Sequence, residues 1–136
     1  MAMQGSLDLR RSYVSITDGG SATAVEVTPD FWPELISGQR TIGTWLMGVN
    51  HRVTAPLVWD LHPDGECVVC LLSGAVDIVV LDGDREHVIK LLAPGAGCVV
   101  PRGTWHRQII REEADVMFLT AGRDTRQRPV EGNDGA

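Results

Sequence analysis

The sequence predicts an all-β fold, a closed or sandwiched antiparallel barrel of the jelly-roll kind with one short helical segment near its N-terminus. Three observations lead there. About ten strand-like runs recur at roughly 8–12-residue spacing, almost nothing carries a helical period, and strands do not alternate with helices as a parallel sheet requires. Ser12–Thr17 and Thr23–Val27 alternate weakly around Asp18-Gly19-Gly20-Ser21, a cluster of turn residues. Thr28-Pro29-Asp30 then sets capping chemistry beside a proline, which opens a helical turn, and Pro33 keeps that turn short. The helical segment is expected to end near Ser37-Gly38. Alternation resumes over Thr41–Val49, Pro56–His62, Cys67–Leu72, Ala75–Leu81, Arg85–Leu92, Cys98–Val100, Trp105–Arg111 and Asp115–Thr120. Ser73-Gly74, Asp82-Gly83-Asp84, Pro94-Gly95-Ala96-Gly97 and Glu112-Glu113-Ala114 are expected to connect them. Residues 12–122 thus read as a single domain, residues 1–11 as a flexible N-terminus and residues 123–136 as a loose polar tail.

Size and charge narrow what such a barrel does. A chain of 136 residues suffices for one core and needs no disulfide staples. Hydrophobic residues make up 43% and charged residues 22%, an ordinary globular balance. No apolar run approaches the ~20 residues of a membrane helix. Met1–Arg11 holds no apolar leader core, so a cytoplasmic location is expected. The net charge of −6 comes from 18 acids against 12 bases without a basic cluster, a surface that repels phosphate backbones and argues against nucleic-acid binding. The expected partners are a small-molecule ligand or substrate and a second copy of the chain, a homodimer in which Ser12–Val27 extends the partner's sheet.

Four His and three Cys carry the candidate chemistry. An odd cysteine count argues against a disulfide framework. Cys67 and Cys70 lie three apart on one strand and so point to opposite faces; Cys70 and Cys98 read as small buried hydrophobes. His51 and His87 fall in loop and hairpin contexts and read as solvent-facing. Asp60 and His62 are two apart on a strand, hence on one face, and His106 from another strand would complete a two-His-one-carboxylate set. The alternative is that His62 and Asp60 only stabilise the turn at Pro63-Asp64-Gly65. Arg52, Arg102 and Arg107 are candidate anion-binding residues, against the commoner role of Arg in surface ion pairs.

Gly95-x5-Pro101-x-Gly103-x2-His106 resembles the second motif of the cupin superfamily, G-x5-P-x-G-x2-H-x3-N, at every position but the last, where Ile110 stands for Asn. The first motif, G-x5-H-x-H-x3,4-E-x6-G, is present in outline: Thr54 stands for the leading Gly, Asp60 for the first His, His62 matches, Cys67 occupies the Glu position and Gly74 closes it. The resemblance covers roughly residues 54–110. It implies a double-stranded β-helix with a metal or ligand pocket inside the barrel. It also implies a divalent metal (Fe, Mn, Ni or Zn) held by Asp60, His62, Cys67 and His106, with Glu66 as the alternative to Cys67. Three functions are open to such a barrel: a metal-dependent small-molecule enzyme of oxygenase type, a metal-free ligand-binding or sensor protein, or a sugar isomerase or epimerase with His106 as base.

Overall fold

Alternation writes the strands into this chain. In Cys67–Leu72, Cys67, Val69 and Leu71 are buried, whereas Val68 and Leu72 are 37% and 42% exposed, so one face turns inward and the other to solvent. The computed structural model describes residues 5–131. Its elements are β1 (Ser12–Ile16), β2 (Ala22–Glu26), the helix α1 (Phe31–Ser37), β3 (Trp45–Arg52), β4 (Val58–Leu61), β5 (Cys67–Asp82), β6 (Arg85–Leu91), β7 (Gly97–Val100), β8 (His106–Thr120) and β9 (Arg126–Pro129). Strand pairs are antiparallel throughout. Hydrogen bonding runs β2-β1-β3-β8-β4-β9, and β5 joins at β8 while carrying β6 and β7. Among the described residues no helix is long and apolar enough to cross a membrane.

Two long strands organise the barrel, and they are where the structure departs from the sequence reading. Cys67–Leu72 and Ala75–Leu81 were expected as separate strands, as were Trp105–Arg111 and Asp115–Thr120. Each pair is instead one continuous strand, β5 or β8. The supposed connectors Ser73-Gly74 and Glu112-Glu113-Ala114 face each other as a bulge, with register shifts between Leu71, Ser73, Ala75 and Val76. A bulge bends a strand without ending it, and Ser-Gly serves a bulge as readily as a turn. Only glycine fits here: Gly74 has φ of +84°, and a Cβ would lie 2.1 Å from the Glu113 carbonyl oxygen. Because of the bend, the first part of β5 pairs β7 and the end of β8, while its second part pairs β6 and the start of β8.

Phe31 and Leu35 of α1 lie one helical turn apart and are buried with Tyr13, Leu46 and Phe118. Tyr13 meets the Phe31 and Phe118 rings edge-on at 5.2 and 5.1 Å. Gly38, in the left-handed conformation, ends the helix as expected. A second cluster, from Cys67, Val69 and Leu71 to Val76, Ile78 and Val116, fills the barrel below.

Residues 8–9 and 126–129 are tied in more than the polarity of their surroundings indicates. The Leu9 carbonyl accepts from the Val49 N–H, and the Asp8 carbonyl accepts from Arg11 and Ser12. Residues 126–129, within the stretch read as a tail from residue 123, form β9 against β4. The rest of that reading, residues 132–136, and residues 1–4 of the N-terminal one lie outside the described residues.

Candidate metal centre

Three strand ends converge on one cavity. His106 opens β8, Cys67 opens β5, and His62 follows the last residue of β4. β4 is brought to His106 by the pairing of Asp60 with His106, and the end of β8 is brought to the thiol by the pairing of Thr120 with Cys67. His62, Cys67 and His106 are all buried, and one ligand atom from each lies within 4.8 Å of the others. The two imidazole rings are 5.2 Å apart, tilted by 48°. The cavity beside them has a volume of about 210 Å³.

Hydrogen bonds set the tautomers of both histidines. The Thr125 hydroxyl donates to the Gly122 carbonyl at 2.6 Å, so its oxygen can only accept from His62 Nδ1–H, at 2.8 Å. His106 Nδ1 faces the Thr104 carbonyl at 3.1 Å, and a carbonyl only accepts, so Nδ1 is again the donor. Each ring therefore keeps Nε2 bare with its lone pair free, the arrangement that ligating histidines require.

Burial also keeps the rings neutral. Loss of water, with the neighbouring His106 adding to it, pulls His62 down to about 3. Burial lowers His106 as well, against the Thr104 carbonyl and the Asp60 charge, which raise it. Burial pushes the Cys67 thiol up to about 12, so without a cation nearby the sulfur holds its proton at neutral pH.

The candidates named from sequence lie in different surroundings. His62, Cys67 and His106 come together. Glu66 does not: it is exposed and pairs with Arg102 at 3.8 Å on the outside, as the alternation around Cys67 dictates. Asp60 lines the same cavity but stands outside the three-atom cluster, its Oδ1 accepting from Gln127 Nε2 at 2.8 Å. Asp60 and His62 both line this cavity, as two residues on one strand face should, although β4 ends at Leu61. Burial raises the Asp60 carboxyl above the usual carboxylate range. His51 and His87 are exposed, and His51 is held by Asp115 at 2.8 Å and Glu113 at 3.0 Å.

Sequence reading missed Thr125, Gln127 and Thr120. The first two lie in the polar stretch read as tail, where no apolar period marks a strand. Thr120 ends a predicted strand, and only the β5–β8 register places it opposite Cys67.

The donor set fits a divalent metal. Two neutral imidazoles with free Nε2 atoms and one thiol are a nitrogen–sulfur set for a borderline ion. Thr120 also lines the cavity, its hydroxyl beside the Cys67 thiol.

No protein-family model matches the chain, and no curated protein matches it in sequence. Solved structures do. A cupin-2 domain containing protein from Shewanella frigidimarina is 22% identical with a TM-score of 0.49, over 60% of this chain and 74% of that one. An oxalate oxidase is 18% identical with a TM-score of 0.52, over 67% of this chain and 50% of that one. An oxalate decarboxylase from Bacillus subtilis is 16% identical with a TM-score of 0.50, over 64% of this chain and 24% of that one. The chain thus spans about half of the oxidase and a quarter of the decarboxylase. At these identities the likeness is one of fold, and it agrees with the Gly95–His106 pattern: the chain has the cupin double-stranded β-helix.

Proposed function

We propose that this cupin barrel is a divalent-metal-dependent enzyme acting on a small molecule, with His62, Cys67 and His106 as the metal ligands. The observation that carries the reading is the convergence of these three buried groups within 4.8 Å, with both histidines tied through Nδ1 so that Nε2 is free. An oxalate oxidase and an oxalate decarboxylase share the fold, which supports small-molecule chemistry inside such a barrel. A thiol with two imidazoles favours Fe or Zn over Mn, and Ni is compatible.

A metal there supplies a Lewis-acid or redox centre, and three protein ligands leave coordination positions open. The chain's own residues do the rest. Thr125 and the Thr104 carbonyl fix the ring orientations. Val58, Val69 and Phe118 limit water in the cavity. Asp60, paired with His106 across the strands and held by Gln127, is the carboxylate placed beside the ligands for proton transfer. An oxygenase-type reaction on a small organic substrate suits this open site best, and a homodimer through the edge strand β2 belongs to the same reading.

Metal content of untagged protein tests it, with His106→Ala and Cys67→Ser alongside. The expected result is close to one equivalent of metal in the wild type, with a large loss in both variants. Less than about a tenth of an equivalent in the wild type, unchanged in the variants, overturns it and leaves a metal-free binding protein.

A further inference from the structure

The cavity wall also carries groups suited to an anion. Three arginines have a buried Nε without a hydrogen-bond partner: Arg40, Arg52 and Arg107. Two have another use for the guanidinium. Arg40 lies 4.9 Å over the Phe31 ring and pairs with Glu34 at 3.9 Å, and Arg107 lies 5.3 Å over the Trp59 ring. Arg52 has no aromatic face and no ion pair within 4 Å among the described residues, and it lines the cavity with Asp60, whose carboxyl feels its charge without a direct bond. The one carboxylate in the cavity wall, Asp60, is engaged by Gln127.

Asn50 lies two residues before Arg52 on β3 and lines the same cavity. A relay fixes which end of its amide is free. Trp32 Nε1–H donates to Tyr13 Oη at 3.4 Å, and the Tyr13 hydroxyl donates in turn to Asn50 Oδ1. With its oxygen taken, Asn50 offers its Nδ2 donors. One strand face thus presents a permanent cation and a neutral amide donor side by side, with the apolar walls of Trp32 and Phe118 beside them.

We propose that the cavity binds a small monocarboxylate, its carboxylate held by Arg52 and Asn50 Nδ2 and its apolar body against the wall that Trp32 and Phe118 form together. The guanidinium fork matches a carboxylate in charge and geometry. A single fixed cation suits a singly charged group better than a phosphate. A cavity of about 210 Å³ has room for a small organic acid. The inference rests on the proposed function only in taking this cavity as the substrate site.

The test is calorimetric titration of the full chain, both chelator-stripped and metal-reconstituted. The probes are benzoate, phenylacetate and hexanoate, the corresponding primary amides, and inorganic phosphate. The wild type is expected to bind at least one carboxylate at least about tenfold more tightly than its amide and than phosphate. Arg52→Gln is expected to lose that preference, Arg52→Lys to restore part of it, and Asn50→Asp to weaken carboxylate binding about tenfold or more. Asn50→Asp keeps the oxygen that Tyr13 donates to, and circular dichroism with melting checks each variant's fold. No binding by any carboxylate, equal binding of acid and amide, tighter binding of phosphate, or an Arg52→Gln variant with wild-type affinity overturns the proposal. Arg52-dependent carboxylate binding by stripped protein that takes up no metal upholds it while removing the metal reading; metal uptake without carboxylate preference does the reverse.

Discussion

Thr125→Val is the perturbation that separates an organised metal site from a pair of merely buried histidines. Valine matches threonine in shape and removes only the hydroxyl. In the wild type that hydroxyl is 4% exposed, donates to the Gly122 carbonyl at 2.6 Å and accepts from His62 Nδ1 at 2.8 Å. The substitution leaves the buried His62 Nδ1–H bare, while the Gly122 carbonyl keeps the longer bond from the Thr125 N–H at 3.4 Å, so a loss of about 1–3 kcal/mol is expected. At roughly 4 °C per kcal/mol for a domain of this size, the melting temperature should fall by roughly 4–12 °C. The effect on metal is separate. Without its acceptor the His62 ring is free to turn or to change tautomer, and loss of such a partner lowers metal affinity by about 10–100-fold. Competition titration against a chromophoric chelator, run below the variant's melting transition, reads the second effect independently of the first. Thr125→Ser, which keeps the hydroxyl, should regain most of both losses. A folded Thr125→Val protein with wild-type metal affinity would refute the role given to this hydrogen bond.

Other outcomes follow from the same geometry. Glu66→Gln should leave metal affinity unchanged because Glu66 lies outside against Arg102, whereas Cys67→Ser should lower it by at least about tenfold; chelator competition on both variants checks this, and the reverse order would mean the register is wrong. Gly74→Ala should cost at least about 2 kcal/mol in urea denaturation, from the left-handed φ and the contact with the Glu113 carbonyl; a neutral result would show that the bulge adapts. Asp115 and then Glu113, by hydrogen bonds, raise the His51 pKa above its usual 6.5. A raised pKa gives stability that is full below about 6.5 and lost as pH rises through the folded value. His51→Gln should therefore destabilise the protein at pH 6 and have little effect at pH 9, and ring-proton NMR should place the His51 titration above 6.5.

How much of this was legible in the sequence depends on what each residue's neighbours reveal. Period-two runs announce strands, and the antiparallel barrel follows from their number and spacing. The same runs do not say that Ser73-Gly74 bends a strand instead of ending one, because the residue types that make a turn also make a bulge. β9 carries no apolar period, since all its residues are exposed, and so the stretch that supplies Thr125 and Gln127 looks like a tail. At the site, His106 was legible from the spacing of Gly95, Pro101 and Gly103. The choice between Cys67 and Glu66 was implicit in alternation, because Val69 and Leu71 share the face of Cys67. Asp60 is legible as a site residue from the first motif's His position and its spacing from His62; it lines the cavity, and its distance from the other three groups depends on where β4 ends. The orientation of Asn50 depends on Tyr13 and Trp32, which lie far from it in sequence and meet it only in the folded chain.

The central claim is that a metal sits among His62, Cys67 and His106. Anomalous diffraction maps recorded on either side of the Fe, Ni and Zn absorption edges, on crystals of metal-reconstituted protein, test it most directly. The account predicts a single strong peak bounded by the two Nε2 atoms and the Cys67 sulfur, with that sulfur at about 2.3 Å if the ion is zinc. A map with no peak in the cavity, or a peak on Glu66 or His51 at the surface, would contradict it.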